Sequence, residues 1–130
     1  MRGLLRATAS VLVLGVGACA AAAPVVSTKV SSVCGSEGAE GPFSVSQAQH
    51  TMTEAAGAAG DCAGATTAMT GKAMVTFSPA GCAQQVVTTY PDGSLKADAV
   101  DCVAKAFLAA KVAAFQGQPV SVAKTFSITP

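Results

Sequence analysis

Five cysteines in a chain of 130 residues constrain this fold more than any other feature, because an odd number cannot all pair with one another. Cys34, Cys62, Cys82 and Cys102 are spaced at least 20 positions apart. The fifth, Cys19, stands in "LVLGVGACAAAAP", where an apolar N-terminal segment runs out into alanines. The sequence contains no CxxC, so nothing supports a thioredoxin-like redox pair. A four-cysteine zinc site would show closely spaced ligand pairs, and these are absent, so no metal is expected. An even set of distant cysteines in a small exported domain reads as two structural disulfides. That reading requires the chain to be exported and Cys19 to have a separate fate.

The first 18 residues supply the export signal. Arg2 and Arg6 give a basic start, and "ATASVLVLGVGA" gives an apolar core that is too short to span a bilayer and ends in small residues. Val16-Gly17-Ala18-Cys19 resembles a bacterial lipobox, in which cleavage falls before the cysteine and its thiol takes diacylglycerol. Lipid chains would then hold the protein at a membrane surface, each buried methylene contributing roughly 0.8 kcal/mol. The rival reading is ordinary cleavage after Ala21-Ala22-Ala23, with Cys19 discarded. Under the lipobox reading, Ala20 implies sorting to the outer membrane, facing the periplasm or the cell surface. No later run is apolar enough to cross a bilayer, so contact with the membrane is expected through the lipid alone.

Loss of the leader removes both arginines and leaves six lysines against seven acids. This nearly neutral balance, with no basic cluster, argues against a nucleic-acid role. Residues 19–43 are rich in small and polar side chains without a sustained period, and are expected to form a flexible tether. The domain is expected over 44–129.

Ser44-Val45-Ser46-Gln47 fits a capping box, with serine and glutamine satisfying each other's orphan amides. Behind it Val45, Ala48, Met52, Ala55, Ala59 and Cys62 recur at helical spacing, although Gly57 and Gly60 weaken the end. "KAMVTF" alternates, placing Ala73, Val75 and Phe77 on one side and Lys72, Met74 and Thr76 on the other. A turn at Ser78-Pro79-Ala80-Gly81 then leads into the β-branched run "AQQVVTTY", giving a hairpin. "KADAVDCVAKAFLAAKV" reads as a second helix with Val100, Val103 and Phe107 on its apolar stripe, and Gly117 and Pro119 as its stop. "VSVAKTFSI" closes the domain as a strand with Val120, Val122, Phe126 and Ile128 in phase and Lys124 the exception.

The expected fold is therefore a small α+β, two-layer sandwich of order α-β-β-α-β. An antiparallel hairpin and a closing strand carry two helices on one face. Only 20 bulky apolar or aromatic residues lie between Ser44 and Thr129, so covalent staples matter. Three connectivities are open to the four cysteines. The one favoured joins Cys62 to Cys102, tying the first helix to the second, and leaves Cys34 to reach the hairpin turn at Cys82.

"GKAMVTFSPAGCAQQVVTTYPDGSLKADAVDCVAKAF" with "SVAKTFSI" resembles the TonB-like C-terminal domain, more narrowly the AgmX/PglI C-terminal domain of myxobacterial envelope proteins. Cys82 and the run Phe115-Gln116-Gly117 depart from the family pattern. The resemblance implies a non-enzymatic domain without a cofactor. It also implies recognition of an extended segment of an envelope protein by strand addition at an exposed edge. Val120, Val122, Lys124, Phe126 and Ile128 mark the candidate edge, and membership of an envelope or motility assembly follows as an expectation. The alternatives are a small secreted enzyme or redox protein, or an inert structural surface protein.

Individual side chains favour the non-enzymatic reading. His50, the only histidine, falls off the helical stripe and is expected in solvent, with no nucleophile motif near it. Asp98 and Asp101 read as helix-start charge. Lys124 reads as protection of the edge against unwanted pairing.

Overall fold

The computed structural model describes residues 24–31, 34 and 38–130. The expected signal peptide over 1–18 and the lipidation site Cys19 lie outside the described residues. Among the described residues six elements follow in order: β1 (Val25–Val30), α1 (Val45–Gly60), β2 (Met69–Phe77), β3 (Ala83–Tyr90), α2 (Ala97–Leu108) and β4 (Val120–Ile128). The strands form one antiparallel sheet of order β1-β3-β2-β4, with both helices on one face. This is the expected α+β sandwich with one element more: part of the expected tether, Val25–Val30, pairs along β3.

The topology interleaves two crossovers. α1 links β1 to β2, which run parallel with β3 between them; α2 links β3 to β4, which run parallel with β2 between them. Both links step across the sheet in the same direction on the same face, while their strands point opposite ways. The two crossovers therefore have opposite hands, and one departs from the right-handed preference of such units.

The core lies between sheet and helices. Ala73, Val75 and Phe77 are fully covered, as the alternation of β2 requires, and β2 begins three residues earlier than "KAMVTF" suggested, at Met69. From α1, Ala48, Met52, Ala55 and Ala59 are buried, with Cys62 just past its end buried too, while Val45 at the start of the stripe is exposed. Gly57 and Gly60 remain within the helix. The small face of α1 lets it lie close over β4. The α2 stripe buries Val103 and Phe107, with Ala99 and Ala104 beside them and Val100 half-buried.

Helix α2 stops at Leu108, well before Gly117 and Pro119. The reason is tertiary. Residues 109–119 leave the helix and drop Ala110, Val112 and Phe115 into the end of the core. Their backbone bonds go elsewhere: Val112 N–H donates to Gly81 O at 2.8 Å, Phe115 N–H to Pro79 O at 2.9 Å and Gln116 N–H to Gly41 O at 2.8 Å. Phe115 meets Phe43 edge-on, with ring centroids 5.0 Å apart. Gly81 takes φ +91° in the hairpin turn, where a Cβ would also strike Val112 O.

The disulfides join Cys34 to Cys82 and Cys62 to Cys102, the favoured connectivity, with Cα atoms 5.9 Å apart in each case. The first pins the chain after β1 to the hairpin turn, beside the buried hydroxyl of Ser78, 2.9 Å from Cys34 Sγ. The second ties the end of α1 to the middle of α2.

Candidate functional site

Strand β4 forms one outer edge of the sheet and β1 the other. All nine residues of β4, Val120–Ile128, pair with β2 on one side. On the other side no strand lies against β4 among the described residues. Its side chains divide by face. Phe126 and Ile128 are buried against the helices, Val120, Val122 and Lys124 are half-buried there, and Ser121, Ala123, Thr125 and Ser127 are exposed on the open face. Two hydroxyl pairs cross the ladder on that open face, Thr76–Ser121 at 2.8 Å and Thr70–Ser127 at 3.2 Å. Lys124 makes no ion pair among the described residues. Of the five residues proposed for the edge, Phe126 and Ile128 thus serve the core with their side chains, and only their backbone is available at the rim.

The open face of the sheet carries hydroxyl, small and aliphatic side chains. Val26, Val30 and Met74 on this face are 61%, 69% and 43% exposed, and Lys72 is its one charge among the described residues. The helix-side surface has a different character. His50 and Glu54 are both exposed and approach to 3.3 Å on the outer side of α1. No nucleophile hydrogen-bonds to either of them among the described residues. No group of three metal-ligating side chains occurs among the described residues. No described helix is long and apolar enough to cross a membrane.

The two aspartates part company. Asp98 sits exposed in the first turn of α2, as a helix-start acid does. Asp101 lies between two lysines: Lys29 of β1 pairs with one carboxylate oxygen and Lys105 lies 3.1 Å from the other. Hydrogen bonds from Lys29 and then Lys105, together with their charge, hold the Asp101 carboxyl below its ordinary value. Sequence reasoning missed this contact, since nothing in "VVSTKV" marks Lys29 as the partner of a residue 72 positions away.

A groove of about 460 Å³ opens beside that ion pair, between β1 and α2. Ser27, Lys29, Tyr90, Ala97, Val100 and Ala104 line it together with Asp101 at the rim. Across the ladder from Ser27 stands Thr88, 1% exposed, whose hydroxyl has no hydrogen-bond partner among the described residues. A buried hydroxyl without a partner costs free energy on the order of 1–3 kcal/mol.

No family model, curated protein or solved structure matches this chain.

Proposed function

We propose that this chain is a non-enzymatic envelope protein, anchored by lipid on Cys19 at the outer membrane, whose domain binds an extended segment of a partner protein along β4. The domain is read as TonB-like, of the AgmX/PglI C-terminal type. The observation that carries the reading is the nine-residue edge of β4, which has no strand on its outer side among the described residues. Long open edges are a liability in water, and proteins retain them where a partner strand completes the ladder. Small hydroxyl side chains at Ser121, Thr125 and Ser127 leave such a strand free to approach, and half-buried Lys124 suits an acidic residue opposite it. Two disulfides stiffen the frame that presents the edge, which lowers the ordering cost of binding.

Two measurements test this. Anchoring is tested by metabolic labelling with a fatty acid: the wild-type chain should take label and sediment with membranes, and Cys19→Ser should do neither. Strand addition is tested by selecting extended peptides on the purified domain and following amide exchange. A peptide bound as proposed slows exchange within Val120–Ile128. Of Lys124→Pro and Thr125→Pro, the one whose N–H points outward keeps the fold and loses the peptide. A selection in which no peptide slows exchange within Val120–Ile128 would refute the assignment of the edge.

A further inference from the structure

The other edge of the sheet is occupied, but its occupant fits poorly. No side chain between Val25 and Val30 joins the core. Val26 and Val30 project into solvent on the open face, and Val25, Ser27 and Lys29 are only half-covered on the helix face. Among the described residues, what holds β1 is its ladder to β3 and one ion pair, from Lys29 to Asp101. The disulfide at Cys34 anchors the chain just beyond β1, so β1 can leave the sheet while the staple, the helices and the other three strands stay in place. Serine at position 27 is too short to fill the groove against Ala97, Val100 and Ala104, and its hydroxyl makes no bond to the orphaned hydroxyl of Thr88 opposite.

We propose that β3 and α2 form a strand-accepting groove in which β1 is an intramolecular stand-in. Its external occupant is an extended segment of another protein. That segment carries a longer uncharged side chain at the position of Ser27 and Lys or Arg two residues on, where Lys29 meets Asp101. The backbone ladder is exchanged bond for bond when one strand replaces another, so the choice between occupants falls to the side chains that enter the groove. A second copy of this chain brings the same serine and gains nothing over β1. The cation is required because Asp101 stands at the rim, and Lys105 on the same helix meets only its other oxygen. Tethering gives β1 an effective concentration on the order of millimolar, so an external segment must bind better than β1 does to displace it. This site is separate from β4, at the opposite edge of the sheet.

The probe is a fluorescein-labelled octapeptide of residues 24–31, used as it stands and with leucine in place of Ser27, titrated against the disulfide-intact mature chain in detergent. The leucine peptide is expected to bind about tenfold tighter than the unaltered one, from the apolar surface it buries. Lys29→Ala in the protein, which loosens β1, should tighten peptide binding several-fold. Ser27→Leu in the protein, which lets β1 fill its own groove, should weaken it about tenfold. Bound peptide should speed amide exchange in Val25–Val30. Equal affinity for the two peptides, or binding that responds to neither protein substitution, overturns the proposal. Binding that instead slows exchange in β4 also overturns it, while leaving the reading of that edge standing. Loss of β1 protection without any loss of peptide binding in Ser27→Leu counts against it as well.

Discussion

Phe126 lies directly across Gly71: they are register partners in β4 and β2, and a Cβ built on Gly71 would come within 2.6 Å of the Phe126 ring and 2.9 Å of Thr89 O. The missing side chain is what lets the ring lie flat on the sheet and reach Phe107, whose centroid is 5.8 Å away. Gly71→Ala should therefore destabilise the domain by about 1–3 kcal/mol, the usual cost of overpacking a filled site. Urea unfolding of the two proteins measures this, and pairing Gly71→Ala with Phe126→Leu should recover part of the loss. Equal midpoints for Gly71→Ala and wild type would show that the ring moves aside freely.

That contact also shows what a sequence reveals and what it hides. The strands β2, β3 and β4 and the helices were legible because each buries one face, which writes a period of 2 or 3.6 into the chain. Strand β1 buries neither face, so "VVSTKV" carries no such record and reads as tether. Gly71 lay outside the strand read over "KAMVTF", and its role stayed hidden because the ring that requires it arrives from 55 positions away. The early end of α2 was hidden for a similar reason: Ala109 to Phe115 have the composition of a helix, and what pulls them out of it is the burial of Ala110, Val112 and Phe115 together with backbone bonds to the hairpin turn, Thr51 and Gln47. The disulfide pairing was favoured and not fixed: three connectivities stood open, and joining the two helices through Cys62 and Cys102 left Cys34, read as part of the tether, to reach the turn at Cys82. The β1–α2 groove depends on Lys29, Tyr90 and Asp101 meeting in space, and no local pattern announces that.

Gln47 illustrates how a correct motif can take a different role. Ser44 caps α1 as expected, accepting from Gln47 N–H at 3.3 Å. The glutamine side chain, however, turns outward, and its Oε1 accepts from Ala113 N–H at 2.8 Å, fastening the segment after α2 to the start of α1. Gln47→Ala should cost about 1 kcal/mol, a typical net hydrogen-bond contribution. Gln47→Glu keeps an acceptor and should lose less. Helix propensity cannot account for such a loss, because alanine is the better helix former, so thermal unfolding of the pair reports on this bond. Amide exchange at Ala113 should rise in Gln47→Ala and stay slow in Gln47→Glu.

The two staples are expected to differ in what they release. Cys62 and Cys102 are 40 positions apart and join the two helices, so replacing both with alanine should cost about 4 kcal/mol by loop entropy, read from the denaturation midpoint. Replacing Cys34 and Cys82 removes the anchor next to β1. In that variant the amides of Val25–Val30 should exchange well ahead of those in β2 and α2. Uniform acceleration across all elements would show that β1 is an integral part of the cooperative unit.

Acid should release β1 before it unfolds the core. The Asp101 carboxyl is held below its ordinary value of 3.8 by Lys29 first and Lys105 second. A carboxyl lowered in the folded state adds stability above its unfolded value and loses it as pH falls through the lower folded one. The pair is exposed, so salt and solvent keep its contribution small, and the effect belongs to β1 more than to global stability. Amide exchange in Val25–Val30, corrected for the intrinsic pH dependence of exchange, should therefore accelerate relative to β2 as pH drops below about 4. Asp101→Asn should show the faster β1 exchange already at neutral pH, with little further change on acidification. Retention of the pH response in Asp101→Asn would place its origin in another carboxyl, since Asp98 stands one turn earlier on α2 and faces solvent.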